Sequence, residues 1–322
     1  MVINTVTGTI DSSELGYTLM HEHAVTCCDW SMRMGLRSRF CQEERLLEMA
    51  VIQLKKAKSA GIRTIVDGTP INLGRDISLI KKAAEQSGIN IIVSSGFYHQ
   101  QDPWLEWKPY NEILSYLDDE CTYGLEDTDI LPGIMKCAVD YRGITEYIVK
   151  MLGVTADCAV KHRLPIFCHT IPELKHGGAM LDIMAEHGVP MQSVIVGHSG
   201  DVDDIDYLES LLVRGCYLGM DRFGTVTKTP GTTLENRCRT VLRLCRDGFA
   251  DKLVVSHDYA PYTGFLPDWK TASSDEALNG DVNFTYFEKF AVPYLRELGL
   301  SADEESKLKQ NNPRKFFEEA YS

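Results

Sequence analysis

Eight short apolar runs alternate with amphipathic helical stretches along this 322-residue chain. No other feature constrains the fold as strongly. The runs are 19–23, 63–67, 90–95, 131–138, 165–169, 193–198, 216–221 and 252–258. Between them, apolar residues recur at helical spacing near 42–60, 76–87, 110–120, 145–162, 178–187, 205–214 and 234–247, and two more helices are predicted near 284–298 and 302–320. A helix between successive strands is the crossover that parallel pairing requires. Eight such units are the number that closes a (β/α)8 barrel. The predicted fold class is therefore α/β, a (β/α)8 TIM barrel. The alternating segment Val2–Ile10, with Gly8, is predicted to form a short N-terminal β-hairpin at the barrel bottom. An open doubly wound sheet is the competing architecture. It would usually carry a Gly-rich first βα turn, and neither GxGxxG nor GxxxxGK[ST] occurs here. No linker or shift in composition marks a boundary, so residues 1–322 are expected to form one domain.

Charge and cysteine content narrow the class of function. With 33 Lys and Arg against 46 Asp and Glu, the net charge is −13. A broad nucleic-acid surface needs clustered cations and is disfavoured. No apolar run approaches the ~20 residues needed to span a bilayer. The opening Met1-Val2-Ile3-Asn4-Thr5 lacks a basic segment before an apolar core, so a cytoplasmic protein is expected. Ten cysteines in a chain this long are not a small disulfide framework. Cys27-Cys28 is an adjacent pair and no CxxC is present, which makes thiolate-bound zinc the weaker metal reading. Most of the cysteines are expected to be small buried hydrophobes.

In a barrel, catalysis sits at the C-terminal ends of the strands. The ends of these runs carry metal-ligand chemistry. The first closes on His21-Glu22-His23, two imidazoles two residues apart and so on one face of a strand. The fourth contains Lys136, the fifth ends in His169, the sixth in His198 and the eighth in Asp258. Each residue has a structural alternative. A lone histidine can be a hydrogen-bonded core residue, and Asp258 can cap a loop. Lys136 is harder to dismiss, because an unpaired ammonium in an apolar strand is costly. Together they suit two zinc-like ions, four imidazoles and one carboxylate being the donors. A lysine that loses its proton can add carbon dioxide, and the carbamate is an anion able to bridge two cations. Such cations acidify a water between them.

With these residues on hand, the chain resembles the phosphotriesterase family of the amidohydrolase superfamily. The resemblance runs from His21-Glu22-His23 to Asn312-Pro313-Arg314-Lys315-Phe316-Phe317. It implies that His21, His23 and Asp258 hold the more buried metal, that His169 and His198 hold the more exposed one, and that a carboxylated Lys136 bridges them. The implied cofactors are two divalent ions per chain, zinc first, with manganese, cobalt or iron as alternatives, and carbon dioxide as the Lys136 carbamate. Gly96-Phe97-Tyr98, Gly197-His198-Ser199-Gly200-Asp201, Gly219-Met220-Asp221-Arg222-Phe223-Gly224 and Ser256-His257-Asp258-Tyr259 look most like the phosphotriesterase-like lactonases. That implies roles for Tyr98 beside the metals and for Arg222 at the entrance. It also implies a small-molecule lactone or ester as substrate and a homodimer, with no nucleic-acid or membrane partner.

The chain departs from lactonases of long-chain acyl-homoserine lactones in the loop after the seventh strand. There that loop is apolar; here Thr225–Thr233 is mostly polar. The first loop carries Arg33, Arg37 and Arg39, either solvated or turned inward to meet a carboxylate or phosphate. The eighth loop carries Tyr259, Tyr262, Phe265 and Trp269, to wall a leaving group or to pack on neighbouring loops. The expected function is a binuclear-metal hydrolase opening small or acid-bearing lactones, with phosphotriester hydrolysis as a side reaction. Phosphotriester or amide hydrolysis as the main task, and a non-catalytic metal-stabilised binding protein, are the alternatives.

Overall fold

A computed structural model describes residues 1–26, 43–227, 230–261 and 280–322. Strands β1 (Val2–Thr5) and β2 (Gly8–Asp11) form the expected antiparallel hairpin. The other eight strands form one parallel sheet in sequence order: β3 (Tyr17–Glu22), β4 (Ile62–Asp67), β5 (Asn90–Gly96), β6 (Ile134–Ala138), β7 (Ile166–His169), β8 (Val194–Val196), β9 (Tyr217–Met220) and β10 (Leu253–Val255). Helices separate successive strands, among them α1 (Glu43–Ser59), α2 (Ile77–Ser87), α3 (Tyr110–Tyr123) and α4 (Glu146–His162). The ring is closed at its top by hydrogen bonds between the first strand and the segment beyond the last. His21 N donates to Ser256 Oγ at 2.9 Å, and Asp258 N donates to His21 O at 3.2 Å. The molecule is a (β/α)8 barrel with an N-terminal hairpin. Among the described residues, no helix is long and apolar enough to cross a membrane.

Local chemistry explains the element ends. Asp76 accepts from Leu79 N and so starts α2, and Gly88, at φ +68°, stops it. Thr145 caps α4 in the same way. The hairpin covers the N-terminal end of the strands: Val6 N donates to Ile91 O at 2.9 Å, and Asn4 Nδ2 donates to Pro132 O at 3.1 Å.

The interior of the barrel follows strand alternation. Each of the eight strands sends one side chain into a single buried cluster: Met20, Val66, Ile92, Ile134, Phe167, Ile195, Tyr217 and Val254. Ile3, Leu15, Phe316 and Phe317 belong to the same cluster. Two residues further along a strand the same face recurs. That step leads from Ile134 to Lys136 and from Phe167 to His169. On β6 and β7 the apolar plug and the polar centre are thus successive layers of one alternation.

β3 departs from simple alternation. Leu19 faces Ile65 and Glu22 faces Asp67, so β3 has one extra residue in that interval. A bulge of this kind re-aims side chains at a strand end. β8 and β10 are shorter than their sequence runs, because His198 and Asp258 lie beyond the ladder at φ +60° and +53°. Non-glycine residues seldom adopt that conformation, and here it holds two strand-end residues at the barrel mouth. At Gly68, a Cβ would lie 2.6 Å from His21 Cδ2 and 3.2 Å from Lys136 Nζ. Only glycine leaves room there for both side chains.

Candidate metal centre and active site

The barrel mouth brings together the eight residues assigned metal-binding or catalytic roles from sequence. His21 Nε2 lies 2.8 Å from Lys136 Nζ and 3.5 Å from Asp258 Oδ1. His23 Nε2 lies 3.1 Å from Asp258 Oδ1. His198 Nε2 lies 2.7 Å from His169 Nδ1 and 3.9 Å from Asp258 Oδ2. Tyr98 OH reaches to 3.4 Å from His169 Nδ1. Arg222 Nε donates to Asp258 Oδ2 at 2.8 Å. His21, Lys136, His169 and His198 are all buried.

The donor set fits divalent cations. Each imidazole has one nitrogen against an oxygen partner: His21 Nδ1 and His198 Nδ1 against Asp221, both at 3.1 Å, His23 Nδ1 against Thr69 Oγ1 at 2.7 Å, and His169 Nε2 against Asp140 Oδ2 at 2.6 Å. The other nitrogen of each turns to the centre. Such partners fix ring orientation and leave one lone pair for a metal. The ligand atoms of His21, His198 and Asp258 lie within 4.8 Å of one another.

Burial sets the protonation of the centre. It pushes His21 and His198 well below the usual histidine range and His169 down to about 4. These rings are neutral, as metal ligation requires. Burial also lowers Lys136 to about 8, and its Nζ sits over the Phe167 ring, 4.4 Å from the centroid. A lysine in that state has an accessible free amine. Burial alone would raise Asp258, but His21, Arg222 and His198 outweigh it and hold the carboxyl well below its usual value. Burial, then Asp258 and Asp140, raise Tyr98, so its hydroxyl stays protonated.

Several residues that matter here were not assigned a role from sequence. Asp221 holds two histidines at once and also accepts from His198 N at 2.8 Å. It ends the seventh sequence run, so the strand-end rule pointed at it. Asp201 accepts from Arg222 Nη1 at 3.0 Å and from buried Arg237 at 2.5 Å. Arg222 is thus clamped between two carboxylates, with a quarter of its side chain exposed. Glu22, between the two histidines, turns away and accepts from His257 Nδ1 at 2.6 Å and from Tyr259 N at 2.9 Å. Tyr259 packs edge-on against Phe284. Arg33, Arg37, Arg39, Lys228, Thr229, Tyr262, Phe265 and Trp269 lie outside the described residues.

Asp221→Ala is expected to lower metal affinity about 10–100-fold, the range for losing an orienting partner of a ligand. Competition with a fluorescent chelator measures it. Unchanged affinity would reduce Asp221 to a structural residue.

The model of the phosphotriesterase family matches residues 1–317. A phosphotriesterase homology protein of Mycobacterium tuberculosis is 33% identical over 325 residues, covering 98% of this chain and 97% of that one. An aryldialkylphosphatase of Saccharolobus solfataricus is 30% identical over 312 residues, covering 96% of each chain. The solved structure of the phosphotriesterase from Mycobacterium tuberculosis superposes with a TM-score of 0.88 at 31% identity, over 99% of this chain and 98% of that one. With a family match over nearly its whole length and relatives above 30% identity, the chain belongs to the phosphotriesterase family.

Proposed function

We propose that this hydrolase binds two divalent metals at the barrel mouth and opens lactones, favouring small or acid-bearing ones. The reading is carried by one observation: four imidazoles, one ionised carboxylate and one deprotonatable lysine converge beside a protonated tyrosine and a clamped arginine. His21, His23 and Asp258 are assigned to one metal, His169 and His198 to the other, and Lys136, as its carbamate, to both. When bound, such ions supply Lewis acidity and acidified water.

The side chains of the chain do the rest. Asp258, ionised and held at Oδ2 by Arg222, accepts the nucleophile's proton and passes it to the leaving alkoxide. Arg222 cannot itself deprotonate under these conditions, so it holds the carboxylate without competing for the proton. Tyr98 donates its hydroxyl to an oxygen of the substrate and orients the ring.

Chain-length preference follows from the loop after β9. Thr227 N donates to Thr232 Oγ1 at 3.0 Å, and Arg237 Nη1 donates to Thr232 O at 2.7 Å. Thr227 and Thr232 are thus tied to each other, and Thr232 to Arg237, so that these two side chains supply polar rather than apolar contacts. Each methylene left unburied forgoes about 0.8 kcal/mol. The preference for an acidic group rests on Arg33, Arg37 and Arg39 in the first loop.

A second reading, phosphotriester hydrolysis as the main task, is favoured by the aryldialkylphosphatase relative. Comparing kcat/KM across a lactone chain-length series, an acidic sugar lactone, a phosphotriester and an N-acyl amide separates the readings. The expected order places small and acidic lactones first, with the phosphotriester weak. A dominant phosphotriester, or a steep rise with acyl length, would overturn the lactone assignment or its size preference respectively.

A further inference from the structure

The helical shell of the barrel holds a second cluster with different chemistry. Cys121 lies near the end of α3, and Cys158 and His162 lie one turn apart on α4. Positions four apart on a helix share a face. Cys121 Sγ and Cys158 Sγ are 3.7 Å apart. Both cysteines are free and buried, and His162 stands at the rim with its side chain 19% exposed. One ligand atom from each of the three lies within 4.8 Å of the others.

We propose that Cys121, Cys158 and His162 form a separate site for a thiophilic d10 cation of the zinc and cadmium class. Two thiolates on a tetrahedral zinc, with bonds of ~2.3 Å, sit ~3.8 Å apart, close to the observed sulfur spacing. His162 Nε2 lies 2.6 Å from Asp118 Oδ1. A carboxylate on one nitrogen orients an imidazole and leaves Nδ1 for the metal. Met135 Sδ, 3.9 Å from Cys121 Sγ, is a soft fourth donor. Two sulfurs and a nitrogen select softer ions than the nitrogen and oxygen donors of the barrel mouth. Binding forms two metal–sulfur bonds and releases the two thiol protons to solvent.

The site is read without reference to catalysis by thiolate-to-metal charge-transfer absorption, since the barrel mouth offers no thiolate among the described residues. The full-length protein, already loaded at the mouth, is titrated with Cd2+. One equivalent is expected to saturate a charge-transfer band. Cys121→Ser and Cys158→Ala are expected to abolish it, and His162→Gln to weaken binding about 10-fold or more. Circular dichroism checks that each variant is folded. Should Cys158→Ala fail to fold, Cys121→Ser and His162→Gln carry the test. No band at one equivalent in the folded wild type, or a band unchanged in the cysteine variants, would overturn the proposal.

Discussion

Lys136→Ala is expected to lose on the order of 10³-fold in kcat/KM, about 4 kcal/mol of transition-state stabilisation, together with most of the metal at the barrel mouth. The reason is position. Lys136 is buried, its Nζ is 2.8 Å from His21 Nε2, and burial lowers it to about 8. The free amine can therefore form an N–C bond to carbon dioxide, with the displaced proton leaving to solvent. On the proposed reading, the carbamate would supply the negative charge that two adjacent cations need between them. Alanine removes it and leaves space for a small acid. Propionate or a similar short carboxylate is accordingly expected to restore part of the metal content and rate. A Lys136→Ala enzyme with full metal and wild-type kcat would show that lysine plays no bridging part.

Asp258→Asn is expected to cut kcat by roughly 10²-fold or more, in the range for losing a general acid–base group. Asp258 is the hub of the site. His23 meets Oδ1, and Arg222 donates to Oδ2. The amide preserves shape but cannot take a proton, and its NH2 would face a donor. Retained kcat with only a raised KM would assign Asp258 to binding.

The barrel was legible because eight apolar runs alternate with helices, and its site because barrel chemistry sits at the C-terminal ends of the strands. His169, which ends the fifth run, and Lys136, which lies within the fourth, followed directly from that rule. His198 and Asp258 were reached by the same rule although they lie past the ladder, in left-handed turns that no residue pattern announced. The bulge in β3 was also silent, since an extra residue in one strand shows only against its partner. Asp221 went without a role for a related reason. Its two histidines are 200 and 23 residues away, so its double contact exists only once the ring closes. Cys121 and Cys158 are 37 residues apart on different helices, and no CxxC spacing pointed to them.

Metal content of the Cys121→Ser enzyme tests the binuclear centre most directly, because that background removes the outer thiolate site from the count. After mild dialysis, plasma mass spectrometry is expected to find close to two divalent metals per chain with activity retained, from five side-chain ligands and one bridging anion at the strand ends. One tightly held metal or fewer, in a fully active enzyme, would contradict the two-metal assignment.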